Sequence, residues 1–196
     1  MTGKGLLLVI SGPSGAGKGT VCGELTARNA NIHYSISATT RAPRPGEVEG
    51  EQYFFKSREE FKKMIDQGEL LEHALVHKNY YGTPKAAVIQ ALKKGEDVIL
   101  EIDVQGAIQI KDLFPEGIYI FIAPPTLEEL RRRLEARATD SPEVIETRMC
   151  NAVGEMAQAG KYDYVIINDS IPEAVKKLEA IVTAEKCRGC RVKLDF

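Results

Sequence analysis

Lys18 has the most specific chemical setting of any residue in this 196-residue chain. It closes the run Gly12-Pro13-Ser14-Gly15-Ala16-Gly17-Lys18, whose G-x-x-x-x-G-K spacing lets a backbone curl until successive N–H groups face a single anion. The apolar residues Leu6 to Ile10 before it suit a buried strand, and a helical pattern follows. A helix opening near Lys18 directs its positive end at the same point, and the lysine adds a full charge. The chemistry is phosphate binding. The motif ordinarily places Ser or Thr after the lysine, where a hydroxyl coordinates Mg²⁺; here Gly19 stands there and Thr20 follows, so Mg²⁺ is expected through Thr20 or through water.

Further residues suit the same chemistry. Arg41 and Arg44 set two guanidinium forks three residues apart on a proline-held loop, an arrangement fit for a bidentate grip on phosphate. Tyr53 and Tyr81 can donate hydroxyls to that anion, although aromatic residues beside strands are as often core. Asp103 ends an apolar strand, the position where proteins with a phosphate loop keep an acid for Mg²⁺ and its waters. The arginines of Arg131-Arg-Arg133-Leu-Glu-Ala-Arg137 read, on their own pattern, as a solvated helix face.

The elements that must position these residues form two classes. Leu6 to Ile10, Val98 to Leu100, Ile118 to Ile122 and Val165 to Ile167 are short apolar runs followed by helical periodicity, as in a buried parallel sheet covered by helices on both faces. Residues 32–82 differ. Ile32 to Thr40 alternates like one half-buried strand, a Pro- and Gly-rich loop follows, and Tyr53 to Phe55 and Leu70 to Val76 read as short strands. The expected fold is therefore α/β, a P-loop parallel sheet with an inserted mixed-sheet lobe. Capping boxes are expected at Ser57-x-x-Glu60, Thr126-x-x-Glu129 and Ser170-x-x-Glu173, a turn at Tyr80 to Gly82, and a helix opened by Thr83-Pro84.

Composition narrows the class. With 43% hydrophobic and 28% charged residues the chain can bury one core, and a net charge of −2 argues against bulk binding to nucleic acid. No apolar run reaches the roughly 20 residues of a membrane span and no signal-peptide pattern opens the chain, which points to the cytoplasm. Cys22 and Cys150 stand alone, and Cys187-x-x-Cys190 lacks the second pair of a zinc site.

Taken together, Ser37-Ala-Thr-Thr-Arg41-Ala-Pro-Arg44-Pro-Gly-Glu, Tyr80-Tyr-Gly-Thr83, Glu101-Ile-Asp103-Val-Gln-Gly and Ile122-Ala-Pro-Pro125 resemble the guanylate kinase family, from Leu6 to about Glu185. The resemblance implies ATP + GMP to ADP + GDP with Mg²⁺. It implies a core of residues 1–31, 84–125 and 160–196, a GMP-binding lobe at 32–83 and a helical lid at 126–159. It implies that Arg41, Arg44, Tyr53 and Tyr81 hold the GMP phosphate, that Ser37, Glu72 and Thr83 face guanine, and that Asp103 touches the nucleotide. Gly12 to Thr20 would bind ATP, with Arg137, Asn168 and Asp169 toward adenine; Arg133, Arg137 and Arg148 would be lid arginines and, with Lys18 and Arg41, catalytic. Thr20 and Asp103 would meet Mg²⁺ through water. Two rivals are a guanylate-kinase-like protein-binding module and a kinase for another acceptor on the same core; the intact loop speaks against the first, and Ser37, Glu72 and Thr83 against the second.

Overall fold

A computed structural model describes residues 5–76, 78–136 and 140–192. In chain order the elements are β1 (Leu7–Ser11), α1 (Lys18–Arg28), β2 (Ile32–Tyr34), β3 (Ser37–Thr39), β4 (Tyr53–Phe55), α2 (Arg58–Asp66), β5 (Leu70–Val76) and β6 (Asn79–Pro84). There follow α3 (Lys85–Lys93), β7 (Asp97–Glu101), α4 (Val104–Leu113), β8 (Ile118–Ala123), α5 (Leu127–Ala136), α6 (Pro142–Met156), β9 (Tyr164–Ile167) and α7 (Ile171–Lys186). A parallel five-stranded sheet in the order β2-β7-β1-β8-β9 is flanked by helices, and a separate mixed sheet has the order β4-β3-β6-β5. This is the α/β class expected from the apolar runs. Strands β1 and β8 are buried along their whole length, as a strand covered on both faces must be.

Two compact units divide the described residues. One comprises Ile10–Asn31 and the chain from Ile118 onward; the other comprises the residues up to Val9 together with Ile32–Gly117. In the first, β8 and β9 pair in parallel from Ile120↔Tyr164 to Ala123↔Ile167, and Leu130, Leu134, Ile145, Met149 and Ala152 of α5 and α6 share a core cluster. In the second, β3 pairs in parallel with β4 and antiparallel with β6, which also pairs with β5.

Local chemistry explains several boundaries. Ser57 Oγ accepts from the Glu60 N–H at 3.1 Å while Glu60 returns to the Ser57 N–H at 2.7 Å, a complete capping box that opens α2. Thr126 Oγ1 accepts from the Glu129 N–H at 3.1 Å before α5.

Five expectations are corrected. Residues 32–40 do not form one strand: β2 joins β7 in the parallel sheet, whereas β3 belongs to the mixed sheet. Tyr80 to Gly82 lie within β6, and the reversal comes earlier, where Lys78 takes a φ of 69°. Thr83 does not cap a helix, because its hydroxyl is committed to Glu72 and Pro84 takes the N-cap position without a side-chain bond. Ser170 makes no side-chain cap, and Glu173 pairs with Lys176 instead. Val165 and Ile167 are half exposed because β9 is the sheet's edge strand.

Candidate functional site

The loop between β1 and α1 is shaped by three glycines that no other residue replaces without strain. Gly12, Gly15 and Gly17 have φ of 143°, 95° and 88°. A Cβ at Gly12 would lie 2.0 Å from the Ile122 carbonyl oxygen, and one at Gly17 would lie 2.4 Å from Asn168 Nδ2. The loop thus packs against the ends of β8 and β9, and Asn168 Nδ2 braces it by donating to the Ala16 carbonyl at 2.7 Å. Asn168 itself is fully buried, and its Oδ1 has no hydrogen-bond partner among the described residues.

Cations gather on the loop. Lys18 Nζ donates to the Gly12 carbonyl at 2.6 Å and to that of Pro13 at 3.1 Å. From α5, Arg133 donates through Nη2 to the Asn168 carbonyl at 2.9 Å, with Nη1 at 3.5 Å from that of Ala16. Glu129, one turn earlier, accepts from Arg133 Nε at 2.7 Å and also from Arg132; these two hydrogen bonds hold its carboxyl down to about 2. From α6, Arg148 donates to Ser14 Oγ and pairs with Asp140 at 3.2 Å. Gly19, Thr20 and Asp169 are exposed. Arg137, expected here, lies outside the described residues.

In the other unit, Glu72 on β5 is only 3% exposed, and its Oε1 accepts from the Thr83 hydroxyl on β6 at 2.6 Å. Burial pushes its carboxyl up to about 7, with the charge of Asp103 adding to the rise and the Thr83 bond opposing it. Asp103 caps α4: its Oδ1 accepts from the N–H groups of Gln105 at 2.8 Å and Gly106 at 3.3 Å.

The mixed sheet brings the expected phosphate holders together. Register sets Ser37 opposite Tyr53 and Thr39 opposite Tyr81, so the rings of Tyr53 and Tyr81 meet edge to face at 5.9 Å. The Arg41 guanidinium lies 5.3 Å from the Tyr53 ring centroid and ion-pairs with Glu47 at 2.8 Å. Burial first, and the charge of Glu101 next, push the Tyr53 hydroxyl up to about 12, so it remains a donor. Arg44 is exposed; its N–H donates to Glu47 at 2.7 Å, so one carboxylate ties both ends of the arginine loop.

The sequence pattern gives no role to Glu47 or Gly106, and it gives Glu129 only that of closing a capping box with Thr126, whereas the Glu129 carboxylate binds Arg132 and Arg133. Their signals were present: Glu47 follows Arg44 by three residues, and Glu129 precedes Arg132 and Arg133 by three and four, the helical spacing of ion pairs. Gly106 sits inside a quoted motif but in a helix, where spacing explains nothing.

A strand, a curled glycine loop and cations seated on it define a phosphoryl-transferring enzyme of the P-loop class. The family model described as guanylate kinase matches residues 4–185, and the chain belongs to that family. It is 56% identical over 192 residues to the guanylate kinase of Desulfitobacterium hafniense, covering 98% of this chain and 96% of that one. To the guanylate kinase of Caldanaerobacter subterraneus it is 55% identical over 190 residues, covering 97% and 92%. Among solved structures, guanylate kinase from Anaplasma phagocytophilum superposes with a TM-score of 0.82 at 38% identity, covering 96% of this chain and 90% of that one. Shikimate kinase from Bacteroides thetaiotaomicron, at 14% identity and a TM-score of 0.52, shares the fold alone.

Proposed function

We propose that this chain transfers the γ-phosphoryl group of ATP to GMP, giving ADP and GDP in cytoplasmic purine nucleotide metabolism. The observation that carries the acceptor half is the buried Glu72: a carboxylate out of water needs partners, and guanine offers N1–H and the N2 amine side by side. Ser37 and Thr83 belong to the same base site, with Thr83 fixing the carboxylate's orientation. Arg41, Arg44, Tyr53 and Tyr81 hold the GMP phosphate. Its oxygen attacks the γ-phosphorus in line, so no protein nucleophile is required, and the chain's task is alignment and positive charge.

Residues 12–20 cradle the ATP phosphates, with Lys18 exchanging its carbonyl partners for phosphate oxygens. Arg133, Arg137 and Arg148 neutralise the charge of the transferring group, and Asn168 and Asp169 border adenine. The division into core, lobe at 32–83 and lid at 126–159 belongs to this reading. Mg²⁺ fits as an ion that arrives with ATP: among the described residues no group of three or more His, Cys, Asp or Glu is placed to hold a metal. Thr20 and Asp103 would meet it through water, and the ion would spread the charge of the phosphate oxygens.

The protein's partners are thus small molecules, GMP and ATP. No helix among the described residues is long and apolar enough to cross a membrane. The test is a coupled assay of ADP formation with GMP, AMP, UMP or no acceptor. GMP alone should support turnover; equal rates with AMP, or an unchanged rate without acceptor, would overturn the reading.

A further inference from the structure

Gly106 occupies the third position of α4, where alanine would serve the helix better than glycine. Its φ is not positive, so the backbone does not demand a glycine. What a side chain would meet there is specific. A Cβ on Gly106 would stand 2.4 Å from Glu72 Oε2, 3.0 Å from its Cδ and 3.5 Å from its Cγ, and all three nearest heavy atoms belong to Glu72.

That carboxylate has little room to give way. Glu72 is buried, its Oε1 is held at 2.6 Å by the Thr83 hydroxyl, and Asp103 stands at the same helix end, binding the Gly106 N–H. Thr83 therefore fixes one oxygen and the bare face of Gly106 makes room for the other. We propose that Gly106 is a specificity-determining positioning residue: its missing side chain lets Oε2 of the Glu72 carboxylate come up against the first turn of α4, with both oxygens set to accept from a purine bearing adjacent N1–H and N2–H donors. A methyl group there forces Oε2 aside or breaks the Thr83 bond, and either movement removes one of the two coplanar acceptors.

This inference rests on the proposed GMP site, and a ratio tests it separately. GMP is compared with inosine monophosphate, which keeps N1–H and lacks the N2 amine, in the parent chain, in Gly106→Ala, in Glu72→Asp and in Gly106→Ala/Glu72→Asp. In Gly106→Ala, KM for GMP should rise by at least about tenfold, the scale of an ångström's misplacement. KM for ATP should stay within about twofold. The GMP-to-IMP ratio of kcat/KM should fall by roughly tenfold or more, because only GMP uses the second acceptor. In Glu72→Asp the shorter side chain draws the carboxylate back and frees the space of the added methyl, so the double variant should lose less than the product of the two single losses. Equal losses for GMP and IMP, or losses that simply multiply, would overturn the proposal. Should Gly106→Ala fail to fold, a folded double variant that still prefers GMP supports it, and a double variant that also fails to fold overturns it. A parent inactive on GMP would sink the GMP reading itself, and this inference with it.

Discussion

Glu72 sits at the point where burial and ligand chemistry oppose each other. Its carboxyl is pushed up to about 7 because desolvation disfavours the charged form, yet guanine's two donors require the ionised form. A folded-state pKa above the unfolded one means that Glu72's contribution to stability is present below the unfolded value, near 4.3, and is lost as pH rises through about 7. The ligand-free protein should therefore weaken as pH rises from about 4 to about 7 and level off above that, while GMP affinity strengthens over the same range. Isothermal titration at pH 6 and pH 8 should find GMP binding about tenfold weaker at pH 6 and ATP binding little changed; a pH-independent GMP constant would exclude an ionised Glu72 from the site. Lys18 is the other single residue on which much depends. No other side chain within the loop brings a full charge to the phosphates, and Lys18→Ala should lower kcat at least roughly 10²-fold, the scale of losing one preorganised charge stabiliser. Steady-state kinetics within a factor of a few of the parent would contradict that role.

The loop that carries Lys18 is an element whose positions differ sharply in tolerance. Gly17 combines a φ of 88° with a Cβ position 2.4 Å from Asn168 Nδ2, so Gly17→Ala strains the backbone and dislodges the strut that holds the Ala16 carbonyl. Gly19 is exposed in the first turn of α1 and its φ is not positive, so its backbone makes no demand for glycine. Calorimetry should find ATP binding severely weakened in Gly17→Ala and retained in Gly19→Ser; the opposite order would mean that the loop does not bind phosphate through its backbone. This element was legible in the sequence because everything that defines it lies within fifteen consecutive residues, Leu6 to Thr20. Other elements were not. Alternation across Ile32 to Thr40 reports an extended chain but not its neighbours, so the change from β7 to β4 and β6 as pairing partners left no local mark. Thr83 before Pro84 has the form of a helix start, and only the approach of Glu72, eleven residues earlier in sequence, redirects its hydroxyl. Val165 to Ile167 are as apolar as a central strand, and only the edge position of β9 shows that Val165 and Ile167 alternate as half-exposed residues with the buried Ile166.

At the scale of the whole molecule, the proposed substrates fall to different units: residues 12–20 lie in one, whereas Ser37, Arg41, Glu72 and Thr83 lie in the other. The base-reading part of that assignment was the least legible from residue pattern, since a lone glutamate in a short strand carries no signal until its burial is known. Ligand linkage turns the assignment into a measurable property of the folded protein. A ligand that binds only the native state adds about 2.7 kcal/mol at 100 times its Kd, and for a chain of this size each kcal/mol moves Tm by roughly 2–4 °C. GMP at that excess should raise Tm by about 5–10 °C, and AMP at the same concentration should leave it nearly unchanged, because adenine presents an acceptor at N1 and no N2 amine to the buried carboxylate. Glu72→Gln keeps the shape of the side chain but replaces one acceptor by a donor. Thermal melts of that variant should lose most of the GMP shift while an ATP analogue still raises Tm as in the parent, since the phosphate loop is untouched. Loss of both shifts together would mean that Glu72 supports the fold at large, and retention of the GMP shift would remove it from the base site.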